Sequence, residues 1–154
     1  MKRIGLVCHP KIADAQRLAR EATARLAELG IAAWTGSAWE EKDLLKQVKG
    51  TDLLISLGGD GTLVRLARLT AGTGTPILGV NLGRVGFLAE LQPDQVIDHL
   101  PALAEGRFWL EQRMMLRASL EQNGGAAHSF EAINEVVVSR GRLAFELAFQ
   151  PGDV

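Results

Sequence analysis

The chain has 154 residues, 47% of them hydrophobic and 23% charged, with a formal net charge of -1. That length suits one domain, or one domain and part of another, and the composition suits a packed globular core. The near-neutral balance argues against a nucleic-acid footprint, no apolar run approaches the ~18 residues of a membrane span, and the lone cysteine, Cys8, has no internal disulfide partner.

The first residues run straight into a strand-like segment without a signal-peptide core, so a soluble, cytoplasmic protein is expected. Apolar residues over 4–8 predict a first buried strand, ending at His9-Pro10-Lys11. Residues 13–29 then read as a helix with Leu18, Ala22, Leu26 and Leu29 on one face and Gly30 placed to end it. A short strand is predicted over 31–34, and a helix over 40–48 with Leu44, Leu45 and Val48 inward. The apolar run from Leu53 to Leu57 predicts a third strand, broken by Gly58-Gly59-Asp60-Gly61-Thr62 and followed by helical spacing over 63–69. Residues 76–80 read as a fourth strand, and 93–103 as a fourth helix with Val96, Ile97 and Leu100 inward. Strands alternating with helices imply an α/β, Rossmann-like parallel sheet with helices on both faces.

The pattern changes near Glu105-Gly106. Residues 109–120, 129–140 and 143–149 read as strands, the first two joined by a turn at Gln122-Asn123-Gly124-Gly125. The expected organisation is an α/β domain over 1–105, carrying the glycine-aspartate loop, and a partial β-rich domain over 106–154. Cys8 reads as a buried strand residue, and Trp34, Trp39 and Trp109 as packing. His9, His99 and His128 lack mutual spacing, so no protein-held metal site is expected.

The loop at Asp60 is where chemistry is expected. Glycines permit φ > 0 and let backbone approach a ligand closely. A helix that opens directly after such a loop aims N–H groups and its positive end at an anion, most naturally a phosphate. A turn or N-cap aspartate would be the plain reading of Asp60. A carboxylate there could also accept a proton from a sugar hydroxyl attacking a phosphoryl group, or hold Mg²⁺, while Thr62 could add a hydroxyl. Two further clusters stand out. Gly79-Val80-Asn81-Leu82-Gly83-Arg84-Val85-Gly86-Phe87-Leu88 ends a strand in a glycine-punctuated loop, where Phe87 could stack on a base and Arg84 meet a phosphate. Asn134-Glu135 places two polar residues inside an apolar strand, as a bulge, a solvated face or a polyhydroxyl ligand would require.

Together, Gly58-Gly59-Asp60-Gly61-Thr62, the stretch from Asn81 to Leu88, and Asn134-Glu135-Val136-Val137 resemble bacterial NAD kinases. The first motif is shared with diacylglycerol and sphingosine kinases; the second and third are narrower. The resemblance implies phosphoryl transfer from ATP, or polyphosphate, to the adenosine-ribose 2′-hydroxyl of NAD, giving NADP, with Mg²⁺ accompanying ATP. It implies Asp60 as proton acceptor, with Gly59 and Thr62 in the same loop and Gly61 meeting NAD through its backbone. It implies Arg65 near the nucleotide, Phe87 on the adenine, and Asn134 and Glu135 on NAD polar groups. A homo-oligomer, dimer or tetramer, is implied as well. The family's glycine-serine-threonine-alanine-tyrosine motif has no counterpart, since the chain has no tyrosine, and Phe145 stands where a basic or imidazole side chain is common. A chain cut short in its second domain is therefore expected. The alternatives are a diacylglycerol-type lipid kinase and a non-catalytic nucleotide-binding fragment.

Overall fold

The structure is a computed structural model that describes residues 1–83, 86, 88–120 and 128–133. It divides into two compact units, Met1–Leu110 and Glu111–Val154.

In the first unit the elements run β1 (Arg3–Cys8), α1 (Ala13–Glu28), β2 (Ala32–Gly36), α2 (Glu41–Val48), β3 (Leu53–Gly58), α3 (Asp60–Thr70), β4 (Ile77–Asn81) and α4 (Val96–Ala104), with short 3₁₀ turns at Ala71–Thr73 and Pro93–Gln95. The four strands form one parallel sheet in the order β2-β1-β3-β4. Alternation along the strands feeds two cores. Ile4, Leu6 and Cys8 of β1 and Ile55 and Leu57 of β3 pack with Leu18, Ala22 and Leu26 of α1 and Val96 and Leu100 of α4. Val7 and Leu54 face the other way, against Leu44 and Val48 of α2 and Leu66 of α3. The chain travels one way across the sheet through α1 and back through α2 and α3, and helices on opposite faces are what crossovers of a single hand require.

Most helix faces match their periodicity, with one correction in α2. Leu45 is 44% exposed while Leu44 and Val48 are buried. In a helix this short only the i, i+4 pair shares the inner stripe, and the adjacent leucine is turned about 100° away. Helix α4 takes its last inward residue from Leu103, and Ile97 packs at the rim of the core. Helix α3 starts at Asp60 itself, earlier than its apolar spacing shows.

In the second unit β5 (Leu116–Leu120) pairs antiparallel with β6 (His128–Ala132), from Leu116↔Ala132 to Leu120↔His128. The strand expected over 109–120 is therefore shorter at its start. Trp109 is 77% exposed and Met114 also lies open, and the backbone before Leu116 has no ladder partner among the described residues. The turn at 122–125, the strand at 143–149 and most of 129–140 lie outside the described residues.

Candidate active site

The strand order places a topological switch point between β1 and β3, because the chain leaves β1 for β2 on one side and returns to β3 on the other. In open α/β sheets, ligands bind outside the carboxyl ends of the strands at such a point. The loop bearing Asp60 is the carboxyl end of β3. His9 N–H, at the end of β1, donates to Leu57 O at 2.9 Å, and Leu82 N–H, after β4, donates to Gly58 O at 2.8 Å. The ends of β1, β3 and β4 are thus tied to one another around this loop.

Asp60 is the first residue of α3, with Gly59 as its N-cap in extended backbone at φ -109° and ψ -174°. A half-buried carboxylate at the positive end of a helix is a favourable placement for negative charge. None of the glycines at 58, 59, 61 and 86 adopts positive φ; that conformation falls at Gly30, Gly50, Gly74 and Gly106. Of the two properties glycine offers, close approach is the one this loop uses. A Cβ built on Gly86 would lie 2.6 Å from both Cγ and Oδ2 of Asp60. One built on Gly58 would lie 2.7 Å from Thr62 Cβ. At Gly59 and Gly61, by contrast, an added Cβ meets nothing within 4 Å among the described residues. The backbone on either side of the carboxylate therefore faces open space.

Thr62 is buried, with its side chain folded back over Gly58, so its hydroxyl lies beneath the loop. Among the described residues, neither Thr62 Oγ1 nor Ser56 Oγ, both buried, has a hydrogen-bond partner. After β4, Gly83 N–H donates to Asn81 Oδ1 at 3.0 Å, and Glu90 and Leu91 N–H return to Gly79 O at 3.0 and 3.1 Å. The loop leaving β4 is thus pinned at both feet, with Gly86 brought onto Asp60 between them. Arg84, Phe87, Asn134 and Glu135 lie outside the described residues.

Arg65 is occupied. Its Nε donates to Ala38 O at 2.8 Å, its Nη2 pairs with Glu41 Oε1 at 2.8 Å, and its guanidinium lies 5.4 Å over the Trp39 ring. Five residues along a helix turn it about 140° from Asp60, so it serves the loop after β2. Trp39 also receives His9 edge-on, with ring centroids 4.8 Å apart. Reading all three tryptophans as packing holds for Trp34, which lies against Gly5 and donates to Thr51 Oγ1 at 3.0 Å. It fails for Trp39 and Trp109, which stay exposed. Cys8 is buried as expected, and desolvation pushes its thiol up to about 11.

Among the described residues no group of three His, Cys, Asp or Glu side chains could hold a metal ion, and no helix is long and apolar enough to cross a membrane. The approach of Gly86 to Asp60 and the meeting of Trp39 with His9 and Arg65 were not anticipated from the sequence. Their signals in the sequence were a glycine inside a punctuated loop and an aromatic in the connection between a strand and a helix.

The fold and this loop define an open parallel α/β domain with a half-buried carboxylate at its switch point. Residues 12–108 match the ATP-NAD kinase N-terminal domain, and the chain belongs to that family. It is 39% identical over 144 residues to an NAD kinase of Dehalococcoides mccartyi strain CBDB1, covering 93% of this chain and 51% of that protein. An NAD kinase of Chloroflexus aurantiacus is 35% identical over 144 residues, covering 94% and 52%. The chain spans about half the length of the curated relatives it matches. In fold it is similar to a yeast NADH kinase solved in complex with NADH, with TM-score 0.64 at 17% identity, over 87% of this chain and 47% of that one. Membership in this family sets aside the lipid-kinase alternative.

Proposed function

We propose that this chain carries the phosphoryl-transfer centre of an NAD kinase, moving the terminal phosphoryl group of ATP to the adenosine-ribose 2′-hydroxyl of NAD. The observation that carries the reading is Asp60. A half-buried carboxylate opens a helix at the switch point, and the flanking Gly59 and Gly61 leave the approach clear. Family membership supplies the substrates.

In this reading the ribose hydroxyl lies against Asp60, which takes its proton as the oxygen attacks phosphorus. Backbone N–H groups at the start of α3, at Gly59 and Gly61, and the helix's positive end stabilise charge developing on the phosphoryl oxygens. Thr62 acts from below, holding Gly58 in place. Phe87 packs on the NAD adenine, and Asn134 and Glu135 take its polar groups. Mg²⁺ needs only one or two protein carboxylates when phosphates supply its other ligands, which fits the single carboxylate here, and it would neutralise phosphate charge. A homo-oligomer in the cytoplasm is the proposed setting, and exposed Trp109 and Leu110 supply apolar surface for assembly.

Asp60→Asn keeps the size of the side chain and removes its basicity. NADP formation, followed by coupling to an NADP-dependent dehydrogenase, should fall by at least about 10²-fold with unchanged far-UV circular dichroism. Turnover equal to the parent's would remove Asp60 from the chemistry.

A further inference from the structure

We infer that the indole of Trp39 is a stacking platform for the nucleobase of the phosphoryl donor, so that the site is built for a nucleoside triphosphate rather than a bare polyphosphate. This rests on the phosphoryl-transfer reading above and adds to it the donor's position and class.

With strands in the order β2-β1-β3-β4, the loops meet the ligand as Trp39, His9, Asp60 and then the 82–90 loop. In the phosphoryl-transfer reading the acceptor's adenosine belongs with the loop that follows β4 in the chain, on the far side of Asp60 from β1 and β2. Transfer with attacking and leaving oxygens in line requires the donor to arrive from the opposite side. That side is the end of β1 and β2. Two inter-strand spacings, roughly 10 Å, separate the root of the Trp39 loop from that of Asp60, a gap that a ribose and its phosphate chain can bridge.

What waits there is a prepared surface. Trp39 sits between the end of β2 and the start of α2 and is 42% exposed. It is nonetheless fixed in place: Arg65 reaches over from α3 at 5.4 Å, and the His9 ring abuts it at 4.8 Å and 72°. Arg65 is itself anchored to Ala38 O and Glu41. Three elements thus immobilise an indole that remains open to solvent. A rigid aromatic loses little conformational freedom on binding, and stacking is tolerant of which base arrives. Arg65, paired with Glu41, is the group that sets the indole's tilt.

Calorimetric titration of the full chain with ATP and, separately, with tripolyphosphate tests this. Trp39→Ala should raise the Kd for ATP about tenfold, the scale of one lost stacking contact, and Trp39→Phe should raise it much less. The Kd for tripolyphosphate should not move in either variant. ATP affinity that survives Trp39→Ala, an equal loss for tripolyphosphate, or no ATP binding by the parent would each overturn the platform. Trp39-dependent ATP binding without any NADP formation would instead leave the platform standing and count against the kinase reading.

Discussion

At the scale of single residues, two glycines beside Asp60 serve opposite ends, and substitution separates them. Gly86 is small because the carboxylate occupies the space its Cβ would need. Gly86→Ala must push that carboxylate aside, and misplacing a reacting group by about an ångström costs on the order of 10²-fold in rate. Turnover should fall by that amount while Tm stays near the parent's, since only the end of one side chain has to shift. Gly59 has ordinary extended backbone and an open side. Gly59→Ala should therefore change stability by less than about 1 kcal/mol, the unfolded-chain gain offset by alanine's poor fit at a helix N-cap, yet weaken substrate binding because the new methyl faces the approach. Denaturant midpoints and steady-state kinetics on the two variants check both statements; a destabilised Gly59→Ala of normal KM would reverse the assignment.

At the scale of elements, the strands were legible because β1 and β3 are buried on both faces and read as continuous apolar runs, every residue of β3 being buried. The loop carrying Asp60 was legible for the same reason: glycines interrupting a buried strand have few structural uses. Strand order was not, since periodicity reports which face a residue takes and says nothing of which strand lies beside which. The switch point, the approach of Gly86 to Asp60 across 26 positions, and the meeting of His9, Trp39 and Arg65 all follow from that order. Between elements, the amino ends of β1 and β3 are joined through Asp52, whose Oδ2 accepts N–H groups from Lys2 at 2.5 Å and Arg3 at 2.9 Å. These two bonds, Lys2 first, hold its carboxyl below the usual range. A lowered folded-state value means the contribution is present above the unfolded value of about 3.9 and is lost as pH falls through the lower folded value. Asp52→Ala should lower the urea midpoint at pH 7, and its deficit against the parent should shrink steadily below about pH 4. A deficit constant from pH 7 to pH 2.5 would show that Asp52 acts without its charge.

At the scale of the molecule, the buried hydrophobic residues among those described all fall between Ile4 and Leu103. Both cores, on either face of the four-stranded sheet, are closed by helices of the same unit, and Leu91 bridges Val80 beside edge strand β4. A domain with its own core should fold alone. Residues 1–110 expressed by themselves should then unfold in one cooperative transition, and Cys8 offers an internal probe of it. Its thiol is buried at the end of β1 and raised to about 11, so at pH 8 it is both shielded and protonated. Thiol labelling of the fragment should be slow in buffer and become fast across the same urea range in which circular dichroism reports unfolding. Coincidence of the two probes is the mark of a two-state domain. Rapid labelling of the fragment in buffer, with the longer chain still protected, would mean that the sheet depends on residues after Leu110 for its closure.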